Sequence, residues 1–204
     1  MNLPNKLTVA RCVLALVFVI LMSVESMATY LAAYALFFVA AATDYYDGRI
    51  ARERGIITNF GKLLDPVADK VLMLSAYITL MRIEALMVPA WTVVVILARE
   101  FLVTGARSLA AAEGAVLSAN QWGKAKTAVQ MVYVITFLTA AVFFQMLRTW
   151  PAIRELLPGG ADLYVGTIAW ASMIGIVAVA VYTVFSGIQF AYSNWEALNL
   201  GEEV

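Results

Sequence analysis

Residues 28–81 read ATYLAAYALFFVAAATDYYDGRIARERGIITNFGKLLDPVADKVLMLSAYITLM. An uncharged run from Ala28 ends in Thr43-Asp44-Tyr45-Tyr46-Asp47-Gly48-Arg49-Ile50-Ala51-Arg52. After a charged turn around Gly55, Gly61-Lys62-Leu63-Leu64-Asp65-Pro66-Val67-Ala68-Asp69-Lys70 leads into a second apolar run, which lasts to Met81. Asp44, Asp47, Gly48, Ala51 and Arg52 fall at i, i+3, i+4, i+7 and i+8, one stripe of a helix with about 3.6 residues per turn. Gly61, Asp65 and Asp69 fall at i, i+4 and i+8 and make a second stripe. A hairpin at Gly55 brings the stripes face to face, so the pattern predicts two helices whose four carboxylates converge at one edge of an apolar layer.

The rest of the chain supplies that layer. Of 204 residues, 63% are hydrophobic and 14% charged, against roughly a quarter charged in an ordinary soluble domain. Net charge is zero, which argues for no nucleic-acid partner. The single cysteine, Cys12, sits in an apolar run and allows no intramolecular disulfide. Histidine is absent, so any metal or acid–base chemistry rests on carboxylates.

A bilayer-spanning helix needs about 20 mostly apolar residues. On that basis residues 1–204 form one all-α, polytopic transmembrane domain with six spans, at 7–24, 28–43, 60–81, 86–112, 122–147 and 163–195. The first is read as a retained span, because Ser23-Val24-Glu25-Ser26 is a poor leader-cleavage site. Lys6 and Arg11, then Arg49, Arg52, Arg54 and Lys62, then Arg107, Lys124 and Lys126 alternate with loops poorer in net positive charge. The positive-inside rule therefore predicts a multi-pass protein of the cytoplasmic membrane, with both termini and the acidic motif facing the cytoplasm. Trp91, Trp122, Trp150, Trp170 and Trp195 mostly fall near span ends and read as interfacial anchors among the membrane lipids.

Each Asp at the centre of a membrane helix costs roughly 2.5–3.5 kcal/mol, less nearer the interface, and four together repel one another. Two Mg²⁺ or Mn²⁺ ions relieve both costs, since hard cations take oxygen ligands and paired metals about 3.5–4 Å apart suit substitution at phosphorus. Gly48 and Ala51 keep the helix surface low for a base or pyrophosphate, and Arg52 can hold a phosphate oxygen. Pro66 is expected to kink or start a helical segment between Asp65 and Asp69. A structural network with Arg49, Arg52, Arg54, Lys62 and Lys70 is the plainer alternative for the acids. An ion-coupled transporter is another, although such proteins favour inverted repeats and midplane sites.

The spacing Asp44-x2-Asp47-Gly48-x2-Ala51-Arg52-x8-Gly61-x3-Asp65-x3-Asp69 resembles the complete signature of the CDP-alcohol phosphotransferase family. The family pattern has Trp followed by an aromatic where this chain has Tyr45-Tyr46. The resemblance implies six transmembrane helices, a homodimer, and metal ligation by Asp44, Asp47, Asp65 and Asp69, with Asp69 also the general base. It implies that Gly48, Arg52 and Thr58 contact the CDP part of a CDP-lipid, with Ala51 and Gly61 in the same lining. The reaction implied is direct displacement at the lipid-side phosphorus with CMP leaving. Membrane prenyltransferases also pair aspartate motifs with Mg²⁺, but their motifs lie far apart, whereas Asp44 and Asp69 are 25 positions apart.

Further runs resemble the branch of the family that acts on CDP-diacylglycerol with sn-glycerol 3-phosphate as acceptor. They are Leu3-Pro4-Asn5-Lys6-Leu7-Thr8-Val9-Ala10-Arg11, Arg99-Glu100 and Gly123-Lys124-Ala125-Lys126-Thr127, in addition to Leu64–Lys70. Other acceptors in the family (inositol phosphate, serine, phosphatidylglycerol) remain alternatives. Arg99 and Arg107 lie eight residues apart on one helix face, and Lys124 and Lys126 begin the next span; together they can form a pocket for the acceptor's phosphate. Asn5, Thr8 and Arg11 form a further polar stripe toward the nucleotide, although Arg11 can equally snorkel to headgroups.

Overall fold

The computed structural model describes residues 3–54, 59–112, 114, 117 and 121–195, with side chains for 9–42, 70–112, 114, 117, 121–123 and 125–195. Among the described residues all regular structure is helical: α1 (Leu3–Ser23), α2 (Met27–Arg54), α3 (Asn59–Arg82), a 3₁₀ turn (Glu84–Leu86), α4 (Ala90–Ala112), α5 (Gln121–Thr149), the short α6 (Pro151–Leu156) and α7 (Ala161–Ser193). The six long helices coincide with the six expected apolar segments to within a few residues, apart from α2. That helix runs past its apolar part as one 28-residue element through the acidic motif, as the helical spacing of Asp44 to Arg52 predicts.

Three local features differ from the expectation. The fourth long helix begins at Ala90 and not near Leu86, because Met87 takes the left-handed conformation (φ 50°) closing the 3₁₀ turn, and Pro89 then marks the restart. Pro66 does not start a new segment; α3 runs unbroken through it. The loop after α5 contains α6, opened by Pro151 at a position where a missing N–H costs nothing.

The helices pack around an apolar core while also exposing apolar side chains on the outside. α1 lies against α2 and α3, α5 against α2 and α7, and α7 also against α4. Small buried residues allow the close approach: Ala15 on α1, Ala33 and Ala40 on α2 and Ala76 on α3, set among Phe18, Phe37 and Leu80. Polar side chains are buried as well, among them Arg11, Glu100, Lys126, Gln130, Ser172 and Thr183. The periphery carries Leu16, Ile20, Val94, Leu102, Leu109, Val132, Trp170, Ile174, Val181 and Ile188, all well exposed. A water-facing surface would not present so continuous an apolar belt, and this distribution belongs to a membrane protein. α5 and α7 are long and apolar enough to cross a bilayer, and Val9–Ser23 and Met27–Ala42 are shorter apolar stretches. At 33 residues, α7 is about 50 Å long, more than the roughly 30 Å hydrocarbon layer requires.

Side-chain contacts define two ends of the bundle. Arg82 at the end of α3 donates to Ser23 Oγ at the end of α1 (2.8 Å), and Arg148 near the end of α5 faces Glu25 (3.5 Å). Toward the opposite end, Lys70 of α3, Glu100 of α4, Lys126 of α5 and Ser186 of α7 come together. Tyr34–Thr139 and Tyr133–Ser172, each 3.0 Å between hydroxyls, tie the middle.

Candidate active site

The acids sit where two helices pass the same end of the bundle. Asp44, Asp47, Gly48, Ala51 and Arg52 lie on the last part of α2, and Gly61, Asp65 and Asp69 on the first part of α3. Because the backbone is helical through both segments, the i, i+3, i+4, i+7, i+8 and i, i+4, i+8 spacings each define one helix face. Both helices pack on α1, whose first turns carry Asn5 and Thr8. The side chains of all these residues, and that of Lys124 on α5, lie outside the described residues, as do residues 55–58, Thr58 included.

The donor chemistry fits a hard divalent cation. Four carboxylates on two helix faces offer oxygen only; the sequence has no histidine, and Cys12 is on α1.

Directly beyond the acids in the bundle is a buried ion cluster centred on Glu100, which sequence reasoning did not place in the site. Glu100 is 7% exposed. Its Oε1 accepts from Lys126 Nζ and from Gln130 Nε2 (3.3 Å), and lies 3.8 Å from an Arg99 guanidinium nitrogen. Its Oε2 is 3.5 Å from Lys70 Nζ. Lys70 follows Asp69 directly on α3, so the cluster abuts the acidic stripe. Among the described residues, Lys70, Arg99 and Lys126 thus converge on one buried carboxylate. A narrow cavity of about 90 Å³ opens beside it, lined by Arg11, Ala41, Lys70, Tyr77, Glu100 and Gln130 among others. The buried hydroxyl of Tyr77 has no hydrogen-bond partner among the described residues.

Of the predicted acceptor-phosphate residues, Arg99 and Lys126 are brought together, both on Glu100. Lys126 is 3% exposed and held by that carboxylate, so it enters the site as part of an ion network and not as an isolated cation. Arg107 lies two turns along α4, with its guanidinium carbon 5.1 Å from the centre of the Phe190 ring. The sequence feature that marks Glu100 is a carboxylate inside an apolar helix, beside Arg99, with two lysines available from neighbouring helices.

A family model described as CDP-alcohol phosphatidyltransferase matches residues 1–184. The chain is 38% identical over 209 residues to the CDP-diacylglycerol--glycerol-3-phosphate 3-phosphatidyltransferase of Bacillus subtilis (strain 168), covering 97% of each. It is 34% identical over 167 residues to the protein of that name from Pseudomonas fluorescens, covering 80% of this chain and 86% of the relative. A similar relation holds with a "Probable phosphatidylglycerophosphate synthase" of Mycobacterium tuberculosis (strain ATCC 25618 / H37Rv), 34% identical over 93% of this chain and 79% of the relative. With its paired aspartate stripes on α2 and α3 and a family match over most of its length, the chain belongs to the CDP-alcohol phosphatidyltransferase family.

Proposed function

We propose that this protein transfers the phosphatidyl group of CDP-diacylglycerol to sn-glycerol 3-phosphate, giving phosphatidylglycerol phosphate and CMP. The observation that carries the reading is the eight-position motif lying on two helices at one end of the bundle, supported by relatives that bear the name of this activity over nearly their full length. The protein is a six-span homodimer of the cytoplasmic membrane, with the α2–α3 acids facing the cytoplasm, where the phosphorylated acceptor is dissolved. Asp44, Asp47, Asp65 and Asp69 hold two Mg²⁺ or Mn²⁺ ions, which when bound supply Lewis-acid stabilisation of charge on the phosphates.

The chain's own groups do the rest. Gly48, Ala51 and Gly61 leave room for the cytidine diphosphate against the helix backbones, and Arg52 and Thr58 orient it, with Asn5 and Thr8 of α1 on its flank. Arg99, Arg107, Lys124 and Lys126 attract and orient the acceptor's phosphate. Asp69 takes the proton from the acceptor hydroxyl as its oxygen bonds to the lipid-side phosphorus; the bond from that phosphorus to the bridging oxygen breaks and CMP leaves with the electron pair.

The test is CMP release by purified protein given CDP-diacylglycerol, Mg²⁺ or Mn²⁺ and one acceptor at a time. Acceleration by glycerol 3-phosphate, abolished by EDTA, is expected. Acceleration only by inositol phosphate, serine or phosphatidylglycerol would overturn the acceptor assignment, and no CMP with any acceptor would overturn the reaction.

A further inference from the structure

Helix α7 carries a stripe that touches three of the groups gathered near the Glu100 cluster. Thr183, Ser186, Gly187 and Phe190 fall at i, i+3, i+4 and i+7, one face of the helix. Thr183 Oγ1 is 3.5 Å from Gln130 Nε2, the same nitrogen that donates to Glu100. Ser186 Oγ accepts from an Arg99 guanidinium nitrogen at 2.9 Å. Gly187 lies under the arginine's stem: a Cβ there would stand 3.0 Å from Arg99 Cγ and 3.4 Å from its Nε. Phe190 offers its ring face to Arg107. Thr183 and Ser186 are almost fully buried, so neither is a solvated surface hydroxyl. Ser186, Gly187 and Phe190 lie beyond residue 184, where the family match ends.

Arg99 is therefore held from two sides, by Glu100 on its own helix and by the Ser186–Gly187 seat on α7. Its Nε–H is buried and has no hydrogen-bond partner among the described residues. A guanidinium flanked in this way has lost most of its rotamer freedom before any ligand arrives, and preorganisation of a cation raises affinity for an anion.

We propose that the α7 face Thr183–Ser186–Gly187–Phe190 is the positioning element of the acceptor-phosphate site, setting the reach of Arg99 and Arg107 toward the phosphate of the attacking alcohol. The inference rests on the glycerol 3-phosphate reading above and adds positioning residues to it. Gly187 is the most telling member, since a single methyl group there displaces Arg99 without removing any charge. Ser186 acts through one hydrogen bond to the same guanidinium.

The experiment compares Gly187→Ala and Ser186→Ala with the unaltered enzyme in full-length, detergent-solubilised protein. KM is measured separately for glycerol 3-phosphate and for CDP-diacylglycerol. Gly187→Ala raises the acceptor KM on the order of tenfold, the effect of weakening one charge-assisted hydrogen bond, and leaves the donor KM within about twofold. Ser186→Ala raises the acceptor KM by about threefold, again without a matching donor effect. A merely structural role would move both KM values together, and that result overturns the proposal, as does an acceptor KM unchanged in the variants. If Gly187→Ala does not fold, Ser186→Ala decides by the same criterion. An unaltered enzyme that ignores glycerol 3-phosphate contradicts the functional reading instead, and is told apart because it appears before any variant is made.

Discussion

The two ends of this helix bundle both carry charge, and they carry it differently. At the α2–α3 end, Lys70, Arg99 and Lys126 surround Glu100 in the interior, with the Glu100 and Lys126 side chains 9% and 4% exposed. At the opposite end, Arg148 faces Glu25 and Arg154 faces Asp162 with side chains more than half exposed. The opposite end also has the larger cavity, about 470 Å³ against about 90 Å³, lined in part by Tyr30, Arg82, Gln145 and Arg148. Between these two cavities, volume alone would favour the opposite end. Burial of charge argues otherwise: exposed pairs form with little desolvation and contribute about 0–1 kcal/mol, while buried ions cost several kcal/mol each unless held by partners. A membrane protein keeps charges inside where they do something, and the costly cluster adjoins the aspartate stripes.

The comparison breaks most sharply at Asp69. Asp69→Asn is expected to lower turnover about a thousandfold or more, the scale of losing a general base together with a metal ligand, while CDP-diacylglycerol still binds. CMP release and lipid binding measured side by side check this, and near-normal turnover would remove Asp69 from its assigned role. Next comes Glu100. Glu100→Ala strands Lys126 and Arg99 in the interior and should destabilise the fold by about 3–5 kcal/mol, read as a lowered thermal midpoint in detergent. Combining Glu100→Gln with Lys126→Met should recover part of that loss, because an uncharged pair of similar shape needs no compensation; strictly additive losses would show that the two residues do not interact. The smallest effect belongs to the other end: Arg148→Ala should cost under about 1 kcal/mol and leave CMP release as it was. A large loss there would mean that the exposed end matters as much as the buried one.

Much of this architecture is legible in the sequence because lipid imposes simple rules. Apolar runs of helix length gave the long helices, and the eight spaced residues from Asp44 to Asp69 fall on two of them, as their helical spacing predicts. What escaped is local or tertiary. Hydropathy does not register the backbone reversal at Met87, so on its own it starts α4 too early. The short α6 arises from Pro151 in a stretch with no apolar period. Glu100 was visible as an odd carboxylate in an apolar helix, yet its four partners come from α3, α4 and α5, an assembly that no single-helix pattern encodes. The same holds for α7, where Ser186 and Gly187 read as ordinary small residues until Arg99 is seen lying on them.

The central claim is that the aspartate stripes of α2 and α3 hold the cations that make transfer possible. The most direct test counts Mn²⁺ bound to purified protein by electron paramagnetic resonance, alongside CMP release at each metal concentration. The account predicts about two coupled ions per protomer, activity rising with their occupancy, and loss of both in Asp44→Asn and Asp65→Asn. Full activity with no bound Mn²⁺ or Mg²⁺, or unchanged metal binding in those variants, would contradict it.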